Sequence, residues 1–78
     1  MTRAVYRFVD YKVRLDETAH AEFSAVCVTG DEADCGAFSG VMVDDERVTR
    51  WIAEHCRDTG HARFKRTYSD YATVARNE

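Results

Sequence analysis

Between residues 4 and 15 the side chains alternate. Val5, Val9, Tyr11, Val13 and Leu15 fall on one face, and Tyr6, Phe8, Asp10, Lys12 and Arg14 on the other. A period of two marks a strand, and the first face is the one expected to be buried. Asp16-Glu17-Thr18 makes a polar break, after which residues 20 to 28 alternate again and gather Phe23, Ala25 and Cys27 on one side. These two segments are expected to form an N-terminal antiparallel hairpin. Residues 29 to 40 then mix Gly30, Gly36 and Gly40 with Asp31, Asp34 and Ser39, a composition that favours turns over regular structure. Val41-Met42-Val43 could add a short strand after that loop.

The period changes at residue 44. Val48, Trp51, Ile52 and His55 stand at i, i+3, i+4 and i+7, one stripe of an amphipathic helix expected over residues 44 to 59. Asp44 or Asp45 can cap it, Glu46 adds negative charge to the first turn, and Gly60 supplies a stop. His55 therefore faces inward. Alternation resumes with Ala62, Phe64, Arg66 and Tyr68 against Arg63, Lys65 and Thr67, and β-favouring residues run on to Val74. This stretch reads as a final strand rejoining the sheet, with residues 75 to 78 frayed. The fold class expected is α+β: a small antiparallel sheet, made of the N-terminal hairpin and the C-terminal strand, packed on one helix with a knuckle in the loop.

At 78 residues the chain is expected to be one small domain, residues 1 to 78. A single Leu and a single Ile stand beside nine Val and ten Ala, so the core must be thin. Domains of this size tend to need a disulfide, a metal or a partner subunit. No apolar run approaches the roughly 20 residues of a membrane span, and the charged first ten residues do not read as a secretory signal. A cytoplasmic setting follows, which disfavours disulfides among Cys27, Cys35 and Cys56 and makes a metal the better staple.

Two of those cysteines combine with two histidines in the spacing C-x7-C-x19-H-x5-H: Cys27 at a strand end, Cys35 in the loop, His55 on the inner helix face and His61 beyond the helix stop. Zinc takes four tetrahedral thiolate and imidazole ligands, and a hairpin followed by a helix can bring such a set to one point. Gly36 directly after Cys35 suits a tight knuckle, and the break at Gly60 lets His61 swing back toward His55. Residues 27 to 64 resemble a two-cysteine, two-histidine zinc finger, above all in Trp51-Ile52-Ala53-Glu54-His55 and Thr59-Gly60-His61-Ala62-Arg63-Phe64. The chain is also similar to short uncharacterised actinobacterial proteins in its Cys35 to Gly40 stretch and its Trp51 helix. The finger resemblance implies one structural zinc on Cys27, Cys35, His55 and His61. Its seven-residue cysteine gap is wider than the usual two to four. Read as residues alone, Cys27 could instead be a small core side chain, Cys35 a loop thiol, His55 a satisfied imidazole and His61 a surface residue. Disulfides Cys27–Cys35 or Cys35–Cys56 are further options, and Cys56 could replace His55 as a ligand.

Four protein ligands would leave no open coordination position, and Glu54 points about 100° away from His55 on the helix, so no catalytic zinc motif arises. An enzyme is not expected. The formal charge of −3 is unevenly spread: residues 47 to 66 carry Arg47, Arg50, Arg57, Arg63, Lys65 and Arg66 against only Glu54 and Asp58. That segment could bind nucleic acid, with Tyr68 and Tyr71 available for stacking. The helix start Asp44-Asp45-Glu46 would repel phosphates in the usual finger geometry, however. The same bases could also be solvated side chains paired with Glu54, Asp58 and Asp70. Nine aromatics, Tyr6 and Phe8 among them, suggest a protein-contact patch. The functional expectation is a small noncatalytic zinc module serving protein interaction or regulation, with nucleic-acid binding or a metal-free interaction protein as alternatives.

Overall fold

The computed structural model describes residues 6–8 and 11–76. Its elements in chain order are β1 (Tyr6–Phe8), β2 (Tyr11–Leu15), β3 (Glu22–Cys27), α1 (Asp45–Thr59), β4 (Phe64–Ser69) and β5 (Ala72–Arg76). This is a small α+β fold with one helix and two antiparallel sheets, and the cysteine knuckle lies between β3 and α1. The chain divides into two compact units, residues 1–21 with 70–78, and residues 22–69. No described helix is long and apolar enough to cross a membrane.

The first unit holds a sheet in the order β1-β2-β5. β2 pairs along its whole length with β5, from Tyr11 opposite Arg76 to Leu15 opposite Ala72. The Asp16 N–H extends that pairing to the Tyr71 carbonyl at 2.7 Å. Asp16 then ends the strand with an Asx turn, its Oδ1 accepting from the Thr18 N–H at 2.9 Å and the Thr18 hydroxyl at 2.6 Å.

These pairings correct the expected hairpin. The segment read as one strand over residues 4 to 15 is two strands paired with each other, Tyr6 opposite Val13 and Phe8 opposite Tyr11. β3 pairs with β4 and not with β2. The stretch expected as one C-terminal strand breaks at Asp70-Tyr71, and its halves enter different sheets. Alternation fixes which face a residue takes but not which neighbour its strand pairs with, so both arrangements satisfy the same pattern. Ala75 and Arg76, expected to fray, lie opposite Lys12 and Tyr11. Residues 77 and 78 fall outside the described residues, as do the side chains of Tyr6 and Phe8.

The second unit carries the candidate chemistry. β3 is flanked by β4 on one side, in the register Cys27 opposite Phe64 to Glu22 opposite Ser69. On its other side are two isolated bridges, Phe23 to Met42 and Val26 to Phe38, so Met42 contributes a bridge and not a full strand. α1 runs as its sequence dictates. Asp44 is the N-cap, its carboxylate accepting from the Glu46 N–H at 2.9 Å, and Gly60 is the left-handed C-cap with its N–H bonded to the Cys56 carbonyl at 2.7 Å. The helix packs on β3, and the fully buried side chains of the described core are only Ala25, Cys27 and Val48. A core this small leaves the C-terminal end of the helix to be held by something else.

Candidate metal centre

Cys27 ends β3 with its side chain wholly buried. The loop that follows folds back on it: Gly36 N–H donates to the Cys27 carbonyl at 2.9 Å, Cys27 N–H to the Ala37 carbonyl at 2.9 Å, and Cys35 N–H to the Thr29 carbonyl at 2.9 Å. Gly36 adopts φ 80°, the left-handed conformation that a knuckle asks of the residue after a cysteine. Cys35 is thereby carried next to Cys27 while remaining exposed. His55 reaches the same point from near the end of α1, and His61 from the segment just before β4.

One ligand atom from each of Cys27, Cys35, His55 and His61 lies within 4.8 Å of all the others. Cys27 Sγ stands 3.5 Å from His61 Nδ1, and Cys35 Sγ stands 3.7 Å from His55 Nε2. A tetrahedral zinc with its ordinary bond lengths to sulfur and nitrogen sets the sulfur-to-nitrogen edge at about 3.5–3.6 Å. Two of the sulfur-to-nitrogen edges therefore sit near the separation a bound ion would impose, and these four residues could hold one metal ion. Cys56 stays outside the group, and all three cysteines are free thiols.

The surroundings favour thiolate at Cys27. Burial and the nearby Asp34 charge push its thiol up, but hydrogen bonding from Thr29 and Cys35 outweighs them and holds it below the ordinary thiol value. Around the imidazoles lies an aromatic frame. Trp51 stacks on His55 with ring centroids 5.3 Å apart, and Phe64 meets Trp51 and His55 edge-on at 5.8 and 5.7 Å. These contacts fix the His55 ring by packing on two sides.

Two threonines position the centre, and neither role follows from the cysteine and histidine spacing. Thr59 donates its hydroxyl to the His55 carbonyl at 2.6 Å and accepts the His61 N–H at 3.1 Å, tying both histidines across the break at Gly60. Thr29 donates to the Arg63 carbonyl at 3.1 Å and accepts the Arg63 N–H at 3.0 Å, clamping the start of β4 to the end of β3. Thr59 stands within the Thr-Gly-His motif, so a signal is present in the sequence. Thr29 is marked only by its place two residues after Cys27.

The whole chain, residues 1–78, matches the family model described as Domain of unknown function (DUF7848). The chain belongs to that family. No curated protein and no solved structure matches it. The assignment of a metal centre in this DUF7848 chain therefore rests on its own residues.

The six basic residues are divided between α1, β4 and the residue just before β4. Arg47, Arg50 and Arg57 lie on the exposed side of α1, away from Val48, whereas Lys65 and Arg66 follow one another along β4 behind Arg63. Among the described residues only Arg57 of the six forms an ion pair, with Asp58 at 3.0 Å. That pair raises the Arg57 guanidinium above its ordinary value through the Asp58 hydrogen bond and charge.

Proposed function

We propose that this chain is a small noncatalytic zinc module whose metal holds residues 22–69 in shape so that they can engage a partner protein. The observation that carries the reading is the convergence of Cys27, Cys35, His55 and His61 within 4.8 Å of one another, with two sulfur-to-nitrogen edges of 3.5 and 3.7 Å. Two soft thiolates and two imidazoles in that geometry select zinc among common cellular ions. The set also closes the coordination sphere: four protein donors leave no position for a water or substrate, so the metal's contribution is to folding. Three free thiols suit a reducing, cytoplasmic setting.

Native mass spectrometry of protein purified under reducing conditions without chelator tests the centre. One zinc per chain is expected, absent from the His61→Ala variant and retained in His20→Ala. A metal-free wild-type chain with three free thiols would sink the proposal and return the four residues to packing and loop roles.

A further inference from the structure

β4 is an edge strand of its two-stranded sheet. Five of the six residues of β4 are exposed, and among the described residues the strand pairs with β3 alone. The register decides where its backbone groups point. Val28 N–H donates to the Arg63 carbonyl at 3.0 Å, in line with the pairing of Glu22 and Ser69 further along. Hydrogen-bonded pairs alternate in an antiparallel ladder, so Lys65 and Thr67 turn their N–H and C=O groups toward β3, while Phe64 and Arg66 turn theirs outward.

The same alternation aims the groups of Phe23, Ala25 and Cys27 away from β4, and there the loop meets them. Phe23 exchanges bonds with Met42, Ala25 is served by Ser39, and Cys27 by Ala37 and Gly36. One edge of this small sheet is thus closed by the chain itself. At Phe64 and Arg66 no described strand lies against the other.

The charge at that edge has one sign. Arg63, Lys65 and Arg66 are exposed and form no ion pair among the described residues, and β4 contains no carboxylate. Beside the strand a cleft of about 310 Å³ opens, walled by Phe23, Val48, Arg66 and Tyr68, with Asp45 on its helix side. The cleft suits an uncharged side chain, since Asp45 would repel an acid. A second copy of the chain is a poor occupant. The antiparallel self-pairings that use the outward groups of Phe64 and Arg66 place Lys65 opposite Lys65 or Arg66 opposite Arg66, and like charges directly opposite destabilise a ladder.

We propose that β4 is the docking edge for an extended acidic segment of a partner protein. That segment adds a strand at Phe64 and Arg66, sets its carboxylates against Arg63 and Lys65 on one face, and seats an apolar side chain in the cleft beside Arg66 on the other. The inference rests on the protein-partner reading above and names its surface and ligand class.

The test is selection of random heptapeptides on the zinc-loaded full chain, with zinc occupancy verified in the same sample by native mass spectrometry. Peptides alternating Asp or Glu with Val, Ile or Tyr should be enriched. Bound peptide should slow solvent exchange of the Phe64 and Arg66 amides and leave Lys65 and Thr67, already bonded to β3, unchanged. Lys65→Ala should weaken binding several-fold through lost charge, whereas Arg66→Ala, on the cleft face, should change it little. Arg66→Pro, which also deletes the outward N–H at a position where an edge strand tolerates proline, should weaken it by about tenfold. Equal affinity for the Arg66→Ala and Arg66→Pro variants, protection at other amides, or no enrichment on zinc-loaded chain would overturn the docking edge while leaving the zinc reading intact. Tighter, steeply salt-dependent binding of oligo(dT) at the same amides would overturn it in favour of nucleic acid.

Discussion

Removing zinc should unfold residues 22–69. The buried core there consists of Ala25, Cys27 and Val48, and Val48 is its largest side chain. Full burial of a valine is worth about 1.5–3 kcal/mol and the Ala25 methyl about 1 kcal/mol. Half-buried Phe23, Trp51, Ile52 and Phe64 add fractions of their transfer energy. A structural zinc supplies on the order of 10–16 kcal/mol, as much as the whole net stability of an ordinary domain. A bound zinc would therefore outweigh the core. Far-UV circular dichroism of the zinc-loaded chain in reducing buffer, read before and after excess chelator, checks this. A 15-residue helix is marginal in isolation, so the helical signal of α1 should largely disappear. Native mass spectra taken alongside must show the ion gone. An undiminished helical spectrum from chains with no metal would overturn the expectation, because packing alone would then suffice.

Thr59→Val deletes the hydroxyl that joins the His55 carbonyl to the His61 N–H; zinc affinity measured by competition with a chelating dye should fall roughly tenfold, as for other groups that orient metal ligands. Gly60 holds φ 79°, and a methyl group added there would meet nothing within 4 Å, so Gly60→Ala should cost about 1 kcal/mol of backbone strain and nothing from collision, read by denaturant unfolding of zinc-loaded protein. The Thr18 hydroxyl and then the Thr18 N–H hold the Asp16 carboxyl below the usual carboxylate range. A folded value below the unfolded one gives stability that is present above about pH 4 and lost as the pH falls through the folded value. An NMR titration should find Asp16 depressed and Thr18→Val should move it back up; an unmoved midpoint in the variant would count against the hydroxyl.

The helix is legible in the sequence almost to the residue because its signals are local. Asp44, Glu46 and Gly60 mark its ends through bonds spanning two to four residues, and Val48, Trp51 and Ile52 share a stripe that depends only on the helical period. The gathering of Cys27, Cys35, His55 and His61 is legible because donor chemistry narrows the residue types and the element order limits where they can meet. Strand pairing is not. Val13 finds Val74 and Phe23 finds Tyr68, partners set by distant segments whose alternation would serve equally well in another order. The break at Asp70-Tyr71 that sends β4 and β5 to different sheets leaves only a short polar mark in an otherwise continuous β-favouring run. Thr29 escapes for a related reason: its hydroxyl bridges two backbone groups of Arg63, and that return of the chain comes 34 residues later.

The metal centre and the β4 edge are joined through the start of that strand. His61 is one of the four candidate metal donors, Arg63 is clamped by Thr29, and Phe64 packs against Trp51 and His55, so three of the four residues leading into β4 belong to the candidate centre or its frame. Two thiolates would balance the charge of a bound zinc ion, so that the buried Cys27 side of the cluster would carry no net charge to desolvate. Its other thiol, Cys35, is exposed, so an ion held there would be open to exchange from one side. A ligand that binds only the folded edge and a metal that binds only the folded centre must each strengthen the other by linkage, since both draw on the same ordering of residues 61 to 66. Zinc availability would then set the fraction of chains competent to dock, without the ion touching the partner at all.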